Sequence, residues 1–471
     1  MALDYKAEMP DRKKTLDDLE QSIIKSQIAA DEQAKKQFYE NKNCEDILDN
    51  LANLSLSFKN NNETDIFQYI NGLSNILNRK NCSIYVIPQS NIIEIMNYFE
   101  LTQNIAIRGR ILKFFETIIN KDRTSIDCLL KMSFLDCLIK YRNELPEDKN
   151  IILPYICIIL GLLKNSSNDT TKFIMSIITL DFVNSLYFKI KLESVFSKWL
   201  ECINVYIKYP IPLEYTSNLL QVLSRYLESV HDNSHIDSKI CKIIETTIEN
   251  NPIDWEVFIS CGYPHFLSEF IQSDDYRLIE ASSCVIGKCA ICDFYNFNFN
   301  ISDVYNACVQ FDSQAMYKSI FLAYALISEK SQTHVDAFFS EVTIKFLEVA
   351  DEFEFKLKNE ISLFVSSMLK FALLNHIHFI LETTLLNIVY YALETNYEDN
   401  IYICLEGLAK IAPLIVSSQI REYFENRFKE IVPQDLLLNL VLPDDEETNN
   451  LFRYILQNYP FILGNFEFQE T

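Results

Sequence analysis

From about Thr64 onward, apolar residues recur at three- and four-residue intervals, the spacing that lines one face of an α-helix. Asp65–Leu77, Ile105–Ile119, Leu192–Ile207, Ser238–Ile248, Leu278–Ala290 and Leu357–Phe371 all carry this pattern, and each predicts a helix. Short polar breakers lie between such segments: Asn60-Asn61-Asn62, Ser166-Ser167-Asn168-Asp169, Tyr209-Pro210-Ile211-Pro212 and Gln272-Ser273-Asp274-Asp275. No long Gly/Ser-rich linker interrupts the chain, so the helices read as one continuous array.

The spacing of the long helices is regular. Their predicted starts fall near Thr64, Ile105, Asn150, Leu192, His235, Tyr276, Ala315, Phe355 and Asp399, a recurrence of about 42 residues. A period of that size marks units of two or three helices that cannot bury their apolar faces alone and must stack. One unit is written out in full. Val257–Cys261 is followed by Gly262, Pro264, an apolar stretch to Ile271, Ser273-Asp274-Asp275, and Arg277-Leu278-Ile279-Glu280-Ala281 opening a long helix. Gly262 suits a tight bend and Pro264 the first turn of a helix. The Ser-Asp-Asp stretch offers N-cap oxygens. This pattern resembles the armadillo consensus, with HEAT repeats as the alternative. The expected fold is an all-α, right-handed superhelical solenoid of about nine to ten repeats.

Composition narrows the chemistry. Only 7 of 471 residues are glycine, where about 33 would be ordinary. No G-x-G-x-x-G or G-x-x-x-x-G-K-[ST] phosphate loop is present, and turn-rich β folds are disfavoured. Most of the glycines (Gly72, Gly109, Gly161, Gly287 and Gly407) fall inside predicted third helices, where each costs about 1 kcal/mol relative to Ala. Net charge is −23, with 42 Lys plus Arg against 65 Asp plus Glu. That balance argues against sequence-independent nucleic-acid binding and suits basic protein partners. The 13 cysteines lie mostly in apolar periodic segments such as Tyr155-Ile156-Cys157-Ile158, as core thiols of a reducing compartment do. The start of the chain has no signal-peptide core. Its longest apolar run, Ile151–Leu163, contains Pro154 and is too short to span a bilayer. A soluble intracellular protein without a membrane partner is expected.

Within the armadillo class the chain resembles the importin alpha adaptors: a short N-terminal extension, roughly nine or ten repeats and an acidic balance. Asp11-Arg12-Lys13-Lys14, Ile24-Lys25, Ala30-Asp31-Glu32-Gln33 and Lys35-Lys36 resemble that family's importin-beta-binding segment. The resemblance therefore implies importin beta contacts at Arg12, Lys13, Lys14 and Lys25. Met1–Cys44 nevertheless holds 8 Lys or Arg against 9 Asp or Glu, where the family segment is strongly basic. In importin alphas, a Trp and an Asn four residues later recur on third helices and read basic nuclear-localisation peptides. Indole faces hold Lys or Arg stems, and Asn amides bond the peptide backbone. Carried onto this chain, Asn71-Gly72-Leu73-Ser74-Asn75 keeps Asn75 but has Asn71 in place of Trp. Trp199 falls on a Trp position with Ile203, and next to it Asn204, near the Asn position. Gly161 and Gly287 stand where a peptide-reading Asn would. Asn75, Trp199 and Asn204 are thus the implied cargo contacts.

The resemblance implies residues 1–44 as an N-terminal extension, 45–433 as the solenoid, and 434–471 as C-terminal capping helices with an acidic tail. The implied function is an adaptor for basic cargo that works between cytoplasm and nucleus. A non-import armadillo or HEAT scaffold, or a co-chaperone-like adaptor, is the alternative.

Other constellations point to packing. Cys289-Ala290-Ile291-Cys292 ends a predicted helix instead of opening one, and His265 is the only nearby sequence candidate for a further ligand. Trp255 reads as packing. Asp444-Asp445-Glu446-Glu447, after Pro443, reads as charge at a helix N-terminus, with contact to a basic partner as the alternative. No metal, cofactor or catalytic set is implied, and enzymatic activity is not expected.

Overall fold

The computed structural model describes residues 42–79, 87–121, 123–229, 233–310, 313–349, 354–395, 398–416, 421–431, 440 and 445–459. Among the described residues there is no strand. The chain divides into two compact units, Met1–Tyr206 and Ile207–Thr471.

The first unit holds α1 (42–60), α2 (Glu63–Leu77), α3 (Gln89–Leu101), α4 (Ile105–Lys121), α5 (Arg123–Lys131), α6 (Phe134–Arg142), α7 (Lys149–Asn165), α8 (Asn168–Ile177), α9 (Leu180–Ser185) and α10 (Glu193–Tyr206). The long helices α2, α4, α7 and α10 pack against one another in that order, and the shorter helices fill the repeats between them.

The second unit continues with α11 (Leu213–Ser229), α12 (Ser234–Asn250), α13 (Trp255–Ser260), α14 (Tyr263–Phe270), α15 (Tyr276–Ile291), α16 (Ile301–Gln310), α17 (Gln314–Ser328), α18 (Gln332–Phe338), α19 (Glu341–Val349), α20 (Phe355–Leu369), α21 (Ile377–Glu382), α22 (Leu385–Glu394), α23 (Glu398–Val416), α24 (Arg421–Ile431) and α25 (Glu446–Asn458). Here α12, α15, α17, α20, α23 and α25 form the sequential stack. We call the stacked helices of each unit ladder helices. Those from α2 to α23 start within one residue of the positions predicted from the spacing. Each unit is therefore an all-α repeat solenoid.

The polar breakers set these starts. Asn62, Asp148, Asn233, Asp275 and Ser313 each accept a hydrogen bond from a backbone N–H in the first turn of a ladder helix, supplying donors that otherwise have no helical partner. Gly262 sits at φ +75° between α13 and α14, with Pro264 in the first turn of α14. That backbone is cheap for glycine alone, so the best-written repeat turns where the sequence says it should.

Large aromatics tie the helices of a repeat together. Tyr155 Oη donates to the Leu138 carbonyl at 2.7 Å, and Tyr263 Oη to the Leu220 carbonyl at 2.6 Å. Tyr206 bonds the Ile178 carbonyl and Tyr459 that of Leu408. Each ring buries apolar area while its hydroxyl avoids the cost of an unpartnered buried group. The apolar run Ile151–Leu163 is the buried heart of α7. Pro154 lies inside that helix and has no N–H to give the Asn150 carbonyl. Gly109 of α4 packs beside that carbonyl, where a Cβ would come within 2.9 Å of the oxygen.

The described cysteines are free thiols. Cys202, Cys241, Cys289 and Cys404 are buried, and burial raises their pKa values; for Cys404 the rise is to about 12. Thiols held in this protonated form pack as small apolar groups.

Candidate functional site

Three cargo contacts implied by the resemblance lie in the first unit, and the structure does not bring them together. Asn75 is exposed on α2, whereas Asn204 is half-buried on α10, with α4 and α7 stacked between. Trp199 is corrected outright. It is 0% exposed, stacks on Phe196 at 5.2 Å, and donates its indole N–H to the Val183 carbonyl at 2.8 Å. A ring enclosed on its faces and bonded at its nitrogen has no surface for a ligand, so Trp199 is a core residue of its repeat. Arg12, Lys13, Lys14 and Lys25 lie outside the described residues.

Gly161 and Gly287, which stand where the family has a peptide-reading Asn, are packing positions. Both are buried against a neighbouring ladder helix, where a Cβ would come within 2.7 Å of Ile119 Cγ2 and 2.9 Å of the Ser319 carbonyl oxygen respectively. They are positions of helix contact and do not read a peptide.

The exposed edge of the ladders is instead stitched by charge. Lys164 pairs with Glu201 at 3.1 Å, Lys288 with Glu249 at 2.9 Å, and Lys370 with Glu406 at 2.7 Å, each pair joining two neighbouring ladder helices. At the α2–α4 step, Arg110 donates to Asn71 at 3.3 Å and lies over the Phe67 ring at 4.8 Å. Surface pairs of this kind contribute only about 0–1 kcal/mol apiece. They do occupy groups that would otherwise meet a ligand.

One place adds apolar surface to these pairs. In the second unit, α17, α20, α23 and the start of α25 enclose an open groove of about 930 Å³. Its floor is apolar, made by Phe321, Leu322, Ala325, Leu363, Phe364 and Ile403. Phe321 and Phe364 stack across α17 and α20 at 4.6 Å and 7°. Leu322 is 44% exposed and extends the apolar surface of the groove.

The rim of the groove is acidic. Asp445 and Glu447 line it at the start of α25, and Glu360 lies deeper beside Lys318, the one basic side chain among the described lining residues. Glu360 is buried and bonded by Gln314 at 3.3 Å, with Lys318 at 3.7 Å. Tyr402 donates to Glu447 at 3.0 Å, and that bond to a carboxylate pushes the phenol up to about 12. Asp445 caps α25 by accepting from Thr448 N–H at 2.8 Å. The reading of this acidic stretch as helix N-terminal charge therefore holds at Asp445, while Glu447 faces the groove. Sequence reasoning missed the groove itself. Its signals were Leu322, an apolar residue on the exposed side of its helix, and the acidic stretch beside it.

The candidate ligand sets suggested by Cys and His spacing do not assemble. Cys289 is buried while Cys292 is exposed at the end of α15, and His265 pairs with Glu269 at 3.3 Å. Among the described residues, no group of three or more His, Cys, Asp or Glu side chains is placed to hold a metal ion. Trp255 packs as expected, stacked on Phe294 at 4.6 Å. Among the described residues, no helix is long and apolar enough to cross a membrane.

No family model matches the chain, and no curated protein matches it. Solved structures do. The crystal structure of an engineered protein matches with a TM-score of 0.61 and 12% identity, over 87% of this chain and 99% of that one. A structure from a study of the phosphorylation switch that controls the interaction between cadherin and beta-catenin matches with a TM-score of 0.59 and 11% identity. That match covers 84% of this chain and 89% of the other. These likenesses, with the ladder helices, make the fold class an all-α, armadillo-like repeat solenoid.

Proposed function

We propose that this chain is a protein-interaction adaptor, not an enzyme, and that it binds basic segments of partner proteins along its ladder face. In the finer form of the proposal it is a divergent relative of the importin alphas that carries basic cargo between cytoplasm and nucleus, with importin beta as a partner of its N-terminal extension. The observation that carries the binding reading is the groove of the second unit. An apolar floor accepts alkyl stems, and the exposed carboxylates of Asp445 and Glu447 supply the countercharge for ammonium or guanidinium groups. The net charge of −23 favours the approach of such segments over long range.

The test is fluorescence anisotropy with a labelled heptapeptide rich in Lys and Arg, at a physiological ionic strength of about 0.15 M. Glu447 is exposed, so Glu447→Lys leaves the fold intact while reversing charge at the rim. It is expected to weaken binding at least about tenfold, equivalent to about 1.4 kcal/mol. Absence of binding by the unaltered chain overturns the reading.

A second reading, a scaffold without import activity, draws on the burial of Trp199, which removes a Trp of the family's peptide-reading pattern. It is distinguished by a chain that captures folded protein partners yet ignores the basic heptapeptide.

A further inference from the structure

A second pocket in the same unit shares no residue with the groove. It has a volume of about 670 Å³ and lies among the end of α11, the start of α12, helix α14 and the first turn of α15. That size falls within the range that ligand pockets occupy. Asp237, in the first turn of α12, lines it.

Asp237 is only 2% exposed, and its Oδ1 has no hydrogen-bond partner. This is an uncommon arrangement. Buried carboxylates are ordinarily paired or hydrogen-bonded, because an ionised one without a partner is costly to keep out of water. Neighbouring polar groups are already engaged: Ser234 Oγ donates to Asp275 at 2.5 Å, and the Asp275 N–H donates to Ser273 Oγ at 3.1 Å. Burial alone raises the Asp237 pKa from 3.8 to about 7, with no nearby cation offsetting it.

The rest of the pocket fits a cation on an alkyl stem. Glu228 and Glu269 add carboxylates to its lining. Phe266 and Phe270 stack at 6.3 Å along one wall, offering ring faces to methylenes or to the cation itself. The polar groups point to an organic cation rather than a metal, since no metal-binding group of three side chains forms among the described residues.

We propose that this pocket receives the ammonium or guanidinium of a Lys or Arg side chain presented by a partner protein, with Asp237 as its counter-ion. The proposal goes beyond the groove reading and does not depend on it. A carboxylate in so low a dielectric interacts strongly with an arriving cation and binds it in the ionised form. The aromatic wall holds the stem, and Glu269, more than half exposed, draws the cation toward the mouth.

The test uses the full chain and an acetylated hexapeptide amide containing Arg and Lys, with a diazirine photo-crosslinker at its centre. Adducts are mapped by mass spectrometry. The expected result is adducts on α14 that fall at least tenfold in Asp237→Asn, while adducts on α17 and α20, which report the groove separately, stay unchanged. Circular dichroism checks the fold. Should Asp237→Asn fail to fold, the exposed Glu269→Gln takes its place, with a severalfold loss of α14 adducts expected. Absence of α14 adducts in the unaltered chain, or their persistence at full yield in a folded variant, overturns the proposal. Displacement of the α14 adducts by an equimolar amount of spermine assigns the pocket to a free polyamine and overturns the choice of a protein side chain.

Discussion

His376 Nε2 lies 3.1 Å from the Asp336 carboxylate, joining the 3₁₀ turn Leu374–His376 to α18 of the preceding repeat. The other ring nitrogen is also used: the Leu373 N–H donates to Nδ1 at 3.1 Å. An Nδ1 that accepts leaves the ring proton on Nε2, where it is donated to Asp336. The ring is buried and stacks on Phe339 at 4.6 Å. Neutral histidine therefore satisfies every bond at this junction, and a second proton on Nδ1 would face the Leu373 N–H.

The pH dependence follows from that arrangement. Burial lowers the His376 pKa below 6.5, and Asp336 opposes the shift only in part. A base whose folded pKa is depressed contributes stability that is present above 6.5 and lost as pH falls through the folded value. Asp237, whose pKa burial raises to about 7, acts in the opposite sense over the same range. The His376 contribution is therefore read as the difference in urea midpoint between the unaltered chain and His376→Phe, which is expected to shrink from pH 7.5 to pH 5. In His376→Phe this part of the acid sensitivity disappears, and about 1–2 kcal/mol is lost at pH 7.5 because the Leu373 N–H loses its acceptor. An unchanged pH profile in the variant would show that His376 is not the titrating group.

Trp199 makes a separate prediction. Truncation to Ala in a closed core removes a large ring and leaves a cavity, so a loss of about 3–5 kcal/mol is expected in denaturant unfolding. Trp199→Phe keeps most of the packing and loses the bond to the Val183 carbonyl, at a cost of about 1–2 kcal/mol. Its affinity for the basic heptapeptide should equal that of the unaltered chain. A selective loss of affinity in a fully folded Trp199→Phe would return this residue to the binding surface.

Helix starts and side-chain directions were legible to different degrees, for a geometric reason. Starts are fixed by local chemistry: Asn62, Asp148 and Asp275 cap the helices whose first residues the spacing predicts. Direction depends on rotation about the helix axis, where a slip of one residue turns a side chain by about 100°. Carrying Trp199 over from a family pattern assigned it a direction that only packing decides, and Phe196 and Val183 hold it inside the repeat. The groove was less legible still. Leu322, Leu363, Ile403 and Glu447 come from four ladder helices, and no local spacing relates them. Asp237 is an ordinary first-turn acid in sequence, and its missing partner is visible only in the packed structure.

The scarce glycines yield the last prediction, because two of them face unlike neighbours. At Gly407 of α23, an added Cβ would come within 2.5 Å of the Ser366 carbonyl oxygen and 3.2 Å of Leu369 Cβ on α20. Backbone of a packed ladder helix cannot step aside, so Gly407→Ala must push α20 and α23 apart. The expectation that each helical glycine merely costs about 1 kcal/mol against Ala is reversed here: overpacking should destabilise by about 1–3 kcal/mol despite the better helix propensity. At Gly72 of α2, the nearest atom to an added Cβ is Asn50 Oδ1 at 2.8 Å, the far end of a side chain that can turn aside at the expense of its hydrogen bond to the Asp46 carbonyl. In Gly72→Ala the propensity gain should then roughly offset the weakened Asn50 bond, and the variant should come out within about 0.5 kcal/mol of the unaltered chain. Denaturant midpoints of the two variants, measured side by side, decide the point. Equal shifts would mean that the close approach at Gly407 does not constrain the stacking of α20 on α23.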